Sequence, residues 1–226
     1  MDSVHMEIAM KLNNVPESLP PVRSTYRHGD LRRALLEAGV ELARDGGPDA
    51  VVLREATRRV GVVPNAAYRH FGSRQELLLA VRGAALSAAA KAMESELAVL
   101  HFDQPPADFA RAQVRAIGTA YLRFAQAEPG LFRTAFVVTE EGEGEVGAAA
   151  AGASGMGPFQ LLGAAIDRLV DAGVLDAARR PNAEYLAWSA VHGLALLIIH
   201  GPLRTLDAET THALGQRLID MVERGL

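Results

Sequence analysis

The chain has 226 residues, 49% apolar and 22% charged, which is enough apolar material for a substantial core and too much for a wholly disordered chain. It has no cysteine, which excludes disulfide frameworks, Cys-ligated zinc, thiol catalysis and iron–sulfur clusters. The net charge of -4 is unevenly spread: residues 1–22 carry one lysine against three acids, residues 23–82 eleven arginines against seven acids, and residues 83–226 eleven basic against seventeen acidic residues. A basic block joined to a larger acidic one predicts two parts with different partners.

In chain order, residues 1–22 include Asn13, Asn14, Pro16, Pro20 and Pro21 without sustained periodicity, and are expected to form a mobile arm. Met1–Met10 has no basic n-region, so no signal peptide is expected. A first helix is predicted from near Arg27, with Leu31, Leu35, Ala38 and Leu42 on one stripe; Arg44, Gly46 and Pro48 mark its end. A second runs from Leu53 to Val60, Gly61 supplies a turn, and Pro64 opens a third helix ending near Phe71. Ser73 followed by Glu76 is a capping box that opens a long helix through Leu77, Leu78, Val81, Ala85, Ala88 and Ala92. Two short helices joined by a glycine turn and braced by longer ones form a helix-turn-helix.

The remaining periodicity is helical: residues 107–126, 128–138, 158–172, 181–200 and 207–224. Between Glu140 and Gly157 lie six glycines and four glutamates, a low-complexity loop expected to be mobile. The longest apolar run, Tyr185–Ile199, is too short to span a bilayer, so no membrane association is expected and the cytoplasm is the expected location. The expected fold is all-α, with a mobile arm (1–22), a helix-turn-helix domain (23–73) and a larger helical domain (74–226).

The segment Leu53–Leu77 (LREATRRVGVVPNAAYRHFGSRQEL) carries the clearest functional signal. With Gly61 in the turn, Tyr68 and Phe71 in the third helix and Ser73-Arg74-Gln75-Glu76-Leu77 opening the next, it resembles the DNA-binding domain of the tetracycline-repressor family of bacterial transcription regulators. The likeness covers roughly residues 27–80. It implies a homodimer bound to a palindromic double-stranded DNA operator, released by a small-molecule effector held in the C-terminal domain. A helix docked in the major groove would present Val63, Pro64, Asn65 and Ala66 to base edges and phosphates, with Tyr68, Arg69 and His70 within reach. Arg54 and Arg74 are further phosphate candidates. Three positions depart from the family pattern: Val52 and Val63 replace the usual Ser or Thr N-caps, and Thr57 replaces an alanine. Losing a side-chain cap costs about 1 kcal/mol.

Nine of the twelve aromatic residues follow residue 100. Phe102, Tyr121, Phe124, Phe132, Phe136, Phe159, Trp188 and His192 are the candidates for an apolar effector pocket with a few polar handles, fitting a small apolar or amphipathic effector. The segment from Trp188 to Gly193 also resembles one C-terminal subfamily of these regulators. Ala190, Leu194, Leu197 and Ile198, with Leu214, Leu218, Met221 and Val222, form apolar stripes on the last two helices and are the candidate dimer interface. Twofold symmetry would set two recognition helices about 34–36 Å apart, or somewhat farther.

Two other readings compete. A helical metal-dependent enzyme is suggested by Glu209-Thr-Thr-His212, but di-iron bundles need two Glu-x-x-His motifs and two more glutamates, and this is the only one. No nucleophile elbow, phosphate loop or His-Glu-x-x-His is present, so no catalytic residue, metal or cofactor is expected. A helical interaction protein without DNA binding is suggested by the two lost caps; salt-dependent binding to duplex DNA discriminates it.

Overall fold

The computed structural model describes residues 31–101, 103–137 and 147–226, and all regular structure among them is helical. The helices are α1 (Leu31–Gly46), α2 (Leu53–Val60), α3 (Pro64–Ala67), α4 (Arg74–Ala98), α5 (Pro106–Ala127), α6 (Pro129–Ala135), α7 (Pro158–Asp171), α8 (Ala183–Ile199) and α9 (Ala208–Gly225). The expected start of the first helix near Arg27, the arm of residues 1–22 and Phe102 lie outside the described residues.

The N-terminal unit forms as its stripes dictate. Leu35, Ala38 and Leu42 of α1 are buried with Leu53 and Ala56 of α2, Ala67 of α3, Phe71, and Leu77 and Val81 of α4. Gly61 ends α2 in the left-handed conformation at φ 75°, and Val62 N–H donates to Thr57 O at 3.0 Å. A glycine reaches that φ without the Cβ penalty and turns the chain within one residue.

The third helix is shorter than the periodicity predicts. It is α-helical over Pro64–Ala67 only, and Tyr68–His70 continue as a turn in which His70 and Phe71 N–H both donate to Ala67 O. Gly72 follows, and the chain leaves the helical path to seat Phe71 in the core.

α4 is the spine. At 25 residues it is about 37 Å long. Ser73 Oγ accepts from Glu76 N at 3.1 Å, while the Glu76 carboxylate takes Gly72 N–H at 2.6 Å, so the cap reaches back one residue further than a standard capping box. Its alanines let α1, α5, α6 and α7 pack closely along one rod. α9 is clamped to α5 by charge: the nearly buried Glu223 carboxylate receives Arg111 at 2.6 Å and Arg115 at 2.5 Å, and Arg115 also reaches Asp220.

The second half of the low-complexity loop makes defined contacts. Residues 147–157 are docked on α4: Glu94 accepts from Ala153 and Ser154 N–H at 2.8 Å each, and Ser87 Oγ donates to Ala151 O at 2.7 Å. Small residues there let backbone N–H groups approach one carboxylate closely, which composition alone reads as mobility. Residues 138–146 lie outside the described residues.

Candidate nucleic-acid interface and effector cavity

Charge pairing thins the basic block. Arg33 pairs with Glu37, Arg44 with Glu41 and Glu128, Arg58 with Glu55, and Arg59 with Asp45. The Arg44–Glu128 and Arg58–Glu55 hydrogen bonds raise both guanidinium pKa values. Arg32, Arg54 and Arg69 have no carboxylate partner among the described residues, and all three are exposed. Arg32 was not singled out from the sequence; its guanidinium carbon lies 4.8 Å above the Phe71 ring, so the core aromatic of the turn positions it.

Val63, Pro64, Asn65, Tyr68, Arg69 and Arg54 are exposed, as a surface meeting a groove requires, with Val63 69% and Tyr68 56% exposed. Ala66 and His70 are half-buried. Tyr68 is exposed because the turn that buries Phe71 points its neighbour three residues earlier outward. Arg74 has a different placement: its Nε donates to Val51 O at 2.9 Å and its Nη2 to Pro48 O at 2.8 Å. It braces the 3₁₀ turn Pro48–Ala50 against the start of α4, with only part of its guanidinium left to meet a phosphate.

Neither Val52 nor Val63 makes a side-chain cap. Thr57 is explained by the structure: it is fully buried, and its Oγ1 donates to Arg54 O at 2.8 Å, so the hydroxyl is satisfied within the turn that precedes it.

A cavity of about 400 Å3 lies in the C-terminal half, between α4, α5, α7, α8 and α9. Tyr121, Phe136, Phe159 and Trp188 line it as the sequence suggests, and Tyr185 joins them. Phe159 and Tyr185 are exposed with ring centroids 5.0 Å apart, so they stand where the cavity opens. Leu86 and Met93 of α4 and Ile117 of α5 supply aliphatic wall.

Two of the predicted pocket residues belong to the core instead. Phe132 is fully buried behind the wall, with its ring edge-on to Tyr121 at 5.3 Å and stacked on His192 at 5.4 Å. Phe124, one turn on from Tyr121 in α5, is buried in the core and does not line the cavity. His192 stands behind Tyr121 and is not itself in the wall.

The polar handle is a chain of three side chains. Trp188 Nε1–H donates to Tyr121 Oη at 3.0 Å, and Tyr121 Oη lies 2.7 Å from His192 Nδ1. Burial pushes the Tyr121 phenol far above its usual range, so it stays protonated. With Trp188 as donor, the phenol proton goes to His192, which assigns the imidazole proton to Nε2. Burial also lowers the His192 pKa, which agrees with a neutral ring accepting that bond.

Sequence reasoning missed Arg82, among the described residues the only charged one in the cavity wall. Its signal was present: between Glu76 and Lys91 it is the single charged residue in fourteen otherwise apolar or small positions of α4. A lone charge on a helix that is buried on most sides has a reason to be there.

The dimer candidates divide. Leu197 and Met221 are 44% and 62% exposed, while Leu194 is buried within the protomer and Val222 lines the cavity. Ala190, Ile198, Leu214 and Leu218 are half-buried, the last three packed on the protomer's own core. Leu186, at 67%, and Leu196 are exposed on α8 and were not predicted. α8 is apolar on every side, so periodicity cannot say which face turns inward.

Glu209 and His212 are exposed on the first turns of α9, and among the described residues no group of three or more His, Asp or Glu could hold a metal ion. Among the described residues no helix is long and apolar enough to cross a membrane.

Residues 35–81 match the family model for bacterial regulatory proteins of the tetR family, and residues 114–222 match the model for a tetracyclin repressor-like C-terminal domain. No match is found among curated proteins. A Rhodococcus protein of unknown function is similar in structure, with a TM-score of 0.71, 25% identity, and coverage of 90% of this chain and 98% of that one. The TetR-family transcriptional regulator PfmR from Thermus thermophilus gives a TM-score of 0.56 at 21% identity, covering 85% of this chain and 98% of its own. The transcriptional regulator FadR from Bacillus subtilis, in complex with stearoyl-CoA, gives 0.64 at 11% identity, covering 86% and 98%. With one family model on the helix-turn-helix and a second on the cavity-bearing half, in that order along one chain, the protein belongs to the tetracycline-repressor family, whose members regulate bacterial transcription by binding DNA and are not enzymes.

Proposed function

We propose that the protein is a cytoplasmic homodimeric repressor that occupies a palindromic operator and leaves it when a small amphipathic effector fills the cavity. In this reading residues 23–73 bind DNA and residues 74–226 bind effector and dimerise. The observation that carries it is the run of α4. Its first turn, held by the Ser73 cap and the Arg74 brace, supports the helix-turn-helix, and Arg82, Leu86 and Met93 further along the same rod line the cavity.

α6 supports a second link between the two halves. Its first turn lies so close to the end of α1 that a Cβ on Gly130 would strike the carbonyl oxygens of Ala43 and Arg44, and Arg44 pairs with Glu128 at 2.8 Å. Its other end presents Ala135 and Phe136 to the cavity. An effector that moves Phe136 therefore pushes on the helix that touches α1. Release is a population shift: the effector binds better to a state whose recognition helices are wrongly spaced for one DNA turn. The exposed face of Leu186, Leu197 and Met221 is the proposed dimer contact.

The test is fluorescence anisotropy of promoter DNA from the protein's own genomic neighbourhood, over a salt series. A regulator contacting several phosphates loses affinity steeply as salt rises. Tyr68→Ala with Arg69→Ala should weaken binding at least about tenfold without lowering the melting temperature, because both side chains are exposed. Absence of binding at low salt would leave the helical interaction protein as the better reading.

A further inference from the structure

Arg82 gives the cavity a property that its apolar walls do not. Among the described residues no Asp, Glu or Lys lines the cavity, and Arg82 is the one formal charge in its wall. The guanidinium Nε donates to Ala135 O at 3.3 Å, a long bond to a neutral acceptor, and among the described residues Nη1 and Nη2 have no protein partner. Ion pairs absorb Arg33, Arg44, Arg58, Arg59, Arg111, Arg115, Arg123 and Arg180 elsewhere. An unpaired cation facing apolar surface is unfavourable when water leaves, and filling the cavity with an apolar body removes that water. The same charge becomes favourable when the ligand brings its own counter-charge, because a carboxylate meets the guanidinium edge with two parallel bonds.

We infer that the effector is an amphipathic anion, a carboxylate or equivalent oxyanion on an apolar body, and that Arg82 binds its head group. The inference rests on the cavity being the effector site. The apolar body lies along Leu86, Met93 and Ile117 and against the aromatic wall of Phe136 and Trp188. A neutral alcohol of the same body loses the charged bond, and an ammonium meets like charge with no acid among the described wall residues to offset it. Since Ala135 O is the present acceptor, an anion that draws Arg82 away also frees the end of α6 from α4.

Trp188 is the chain's single tryptophan and stands in the cavity wall, so its emission reports occupancy. The full chain is titrated with decanoate, 1-decanol and decylamine, which share one body and differ in head group. Decanoate is expected to bind about tenfold to a hundredfold more tightly than decanol, the range of a charge-assisted hydrogen bond, and decylamine most weakly. Arg82→Gln should bring decanoate down to the affinity of decanol and leave decanol unchanged; Arg82→Lys, which keeps the charge but not the fork, should fall between. Equal binding of decanoate and decanol by the unaltered protein overturns the inference while the cavity stands as a site. Equal weakening of both ligands in Arg82→Gln also overturns it, since that is the signature of a brace between α4 and α6. If none of the three ligands changes the Trp188 emission, the effector-cavity reading fails, and the inference with it.

Discussion

Tyr121→Phe removes one oxygen from the centre of the C-terminal half and leaves the ring in place. The ring packs edge-on to Phe132 at 5.3 Å and against Phe136 at 5.8 Å, and Phe fills the same volume there. What is lost is the hydroxyl that accepts from Trp188 and donates to His192. A buried polar group left without its partner costs about 1–3 kcal/mol. Trp188 and His192 are both only half-buried, so each recovers part of its loss by turning toward the cavity or solvent. About 2 kcal/mol is therefore expected for the pair together. Unfolding entropy of about 2.1 cal/mol/K per residue, over 226 residues, converts that into a fall in melting temperature of about 4 °C. Thermal unfolding followed by circular dichroism gives the shift. The Trp188 emission of the folded protein should change as well, since its indole N–H loses its acceptor. A melting temperature within about 1 °C of the parent, with unaltered emission, would refute the reasoning, because it would mean that the hydroxyl is replaced by water at no cost.

Other expectations follow from single contacts. Val63→Ser restores the missing side-chain cap of α3 at an exposed position and should raise the unfolding free energy by about 1 kcal/mol, read from the urea midpoint; no gain would show that the short α3 has no free N–H to cap. Gly130→Ala forces the first turn of α6 away from the Ala43 and Arg44 carbonyls, an overpacking worth about 2 kcal/mol, and should lower operator affinity together with the melting temperature. The pH dependence follows from the lowered His192 pKa. The native ring binds a proton less readily than the unfolded chain, so unfolding takes up a proton, and stability rises with pH through that window. Stability should be complete above the ordinary histidine value of about 6.5 and fall as pH drops toward the depressed native value. Comparing urea midpoints near about pH 5 and about pH 8 should show a smaller difference in His192→Asn than in the parent.

The N-terminal half was legible because its signals are local. Gly61 requires a left-handed turn, Pro64 fits a first helical position, and Ser73 with Glu76 closes a cap, each within a few residues of chain. Even there the length of α3 was overestimated: apolar periodicity continues to Phe71, but burying that ring takes the chain off the helical path after Ala67. The cavity was legible in kind and only partly in membership. Tyr121, Phe136, Phe159 and Trp188 line it, while Phe124 and Phe132 differ from them in no local property and are core by orientation alone.

The sequence by itself determined an all-helical chain, a helix-turn-helix at residues 53–71 and the separation of a basic block from an acidic one, because periodicity, turn glycines, caps and formal charge are properties of neighbouring residues. Tertiary structure decided which charges remain available. It paired Arg33, Arg44, Arg58 and Arg59 with acids and turned Arg74 onto backbone carbonyls; among the described residues it left Arg32, Arg54 and Arg69 free of carboxylate partners and placed Arg82 in an otherwise uncharged cavity wall. It also turned Leu194 and Val222 inward and Leu186 outward. The physical reason is that ion pairing and burial depend on distances between residues remote in sequence, which helix packing sets and local pattern does not encode.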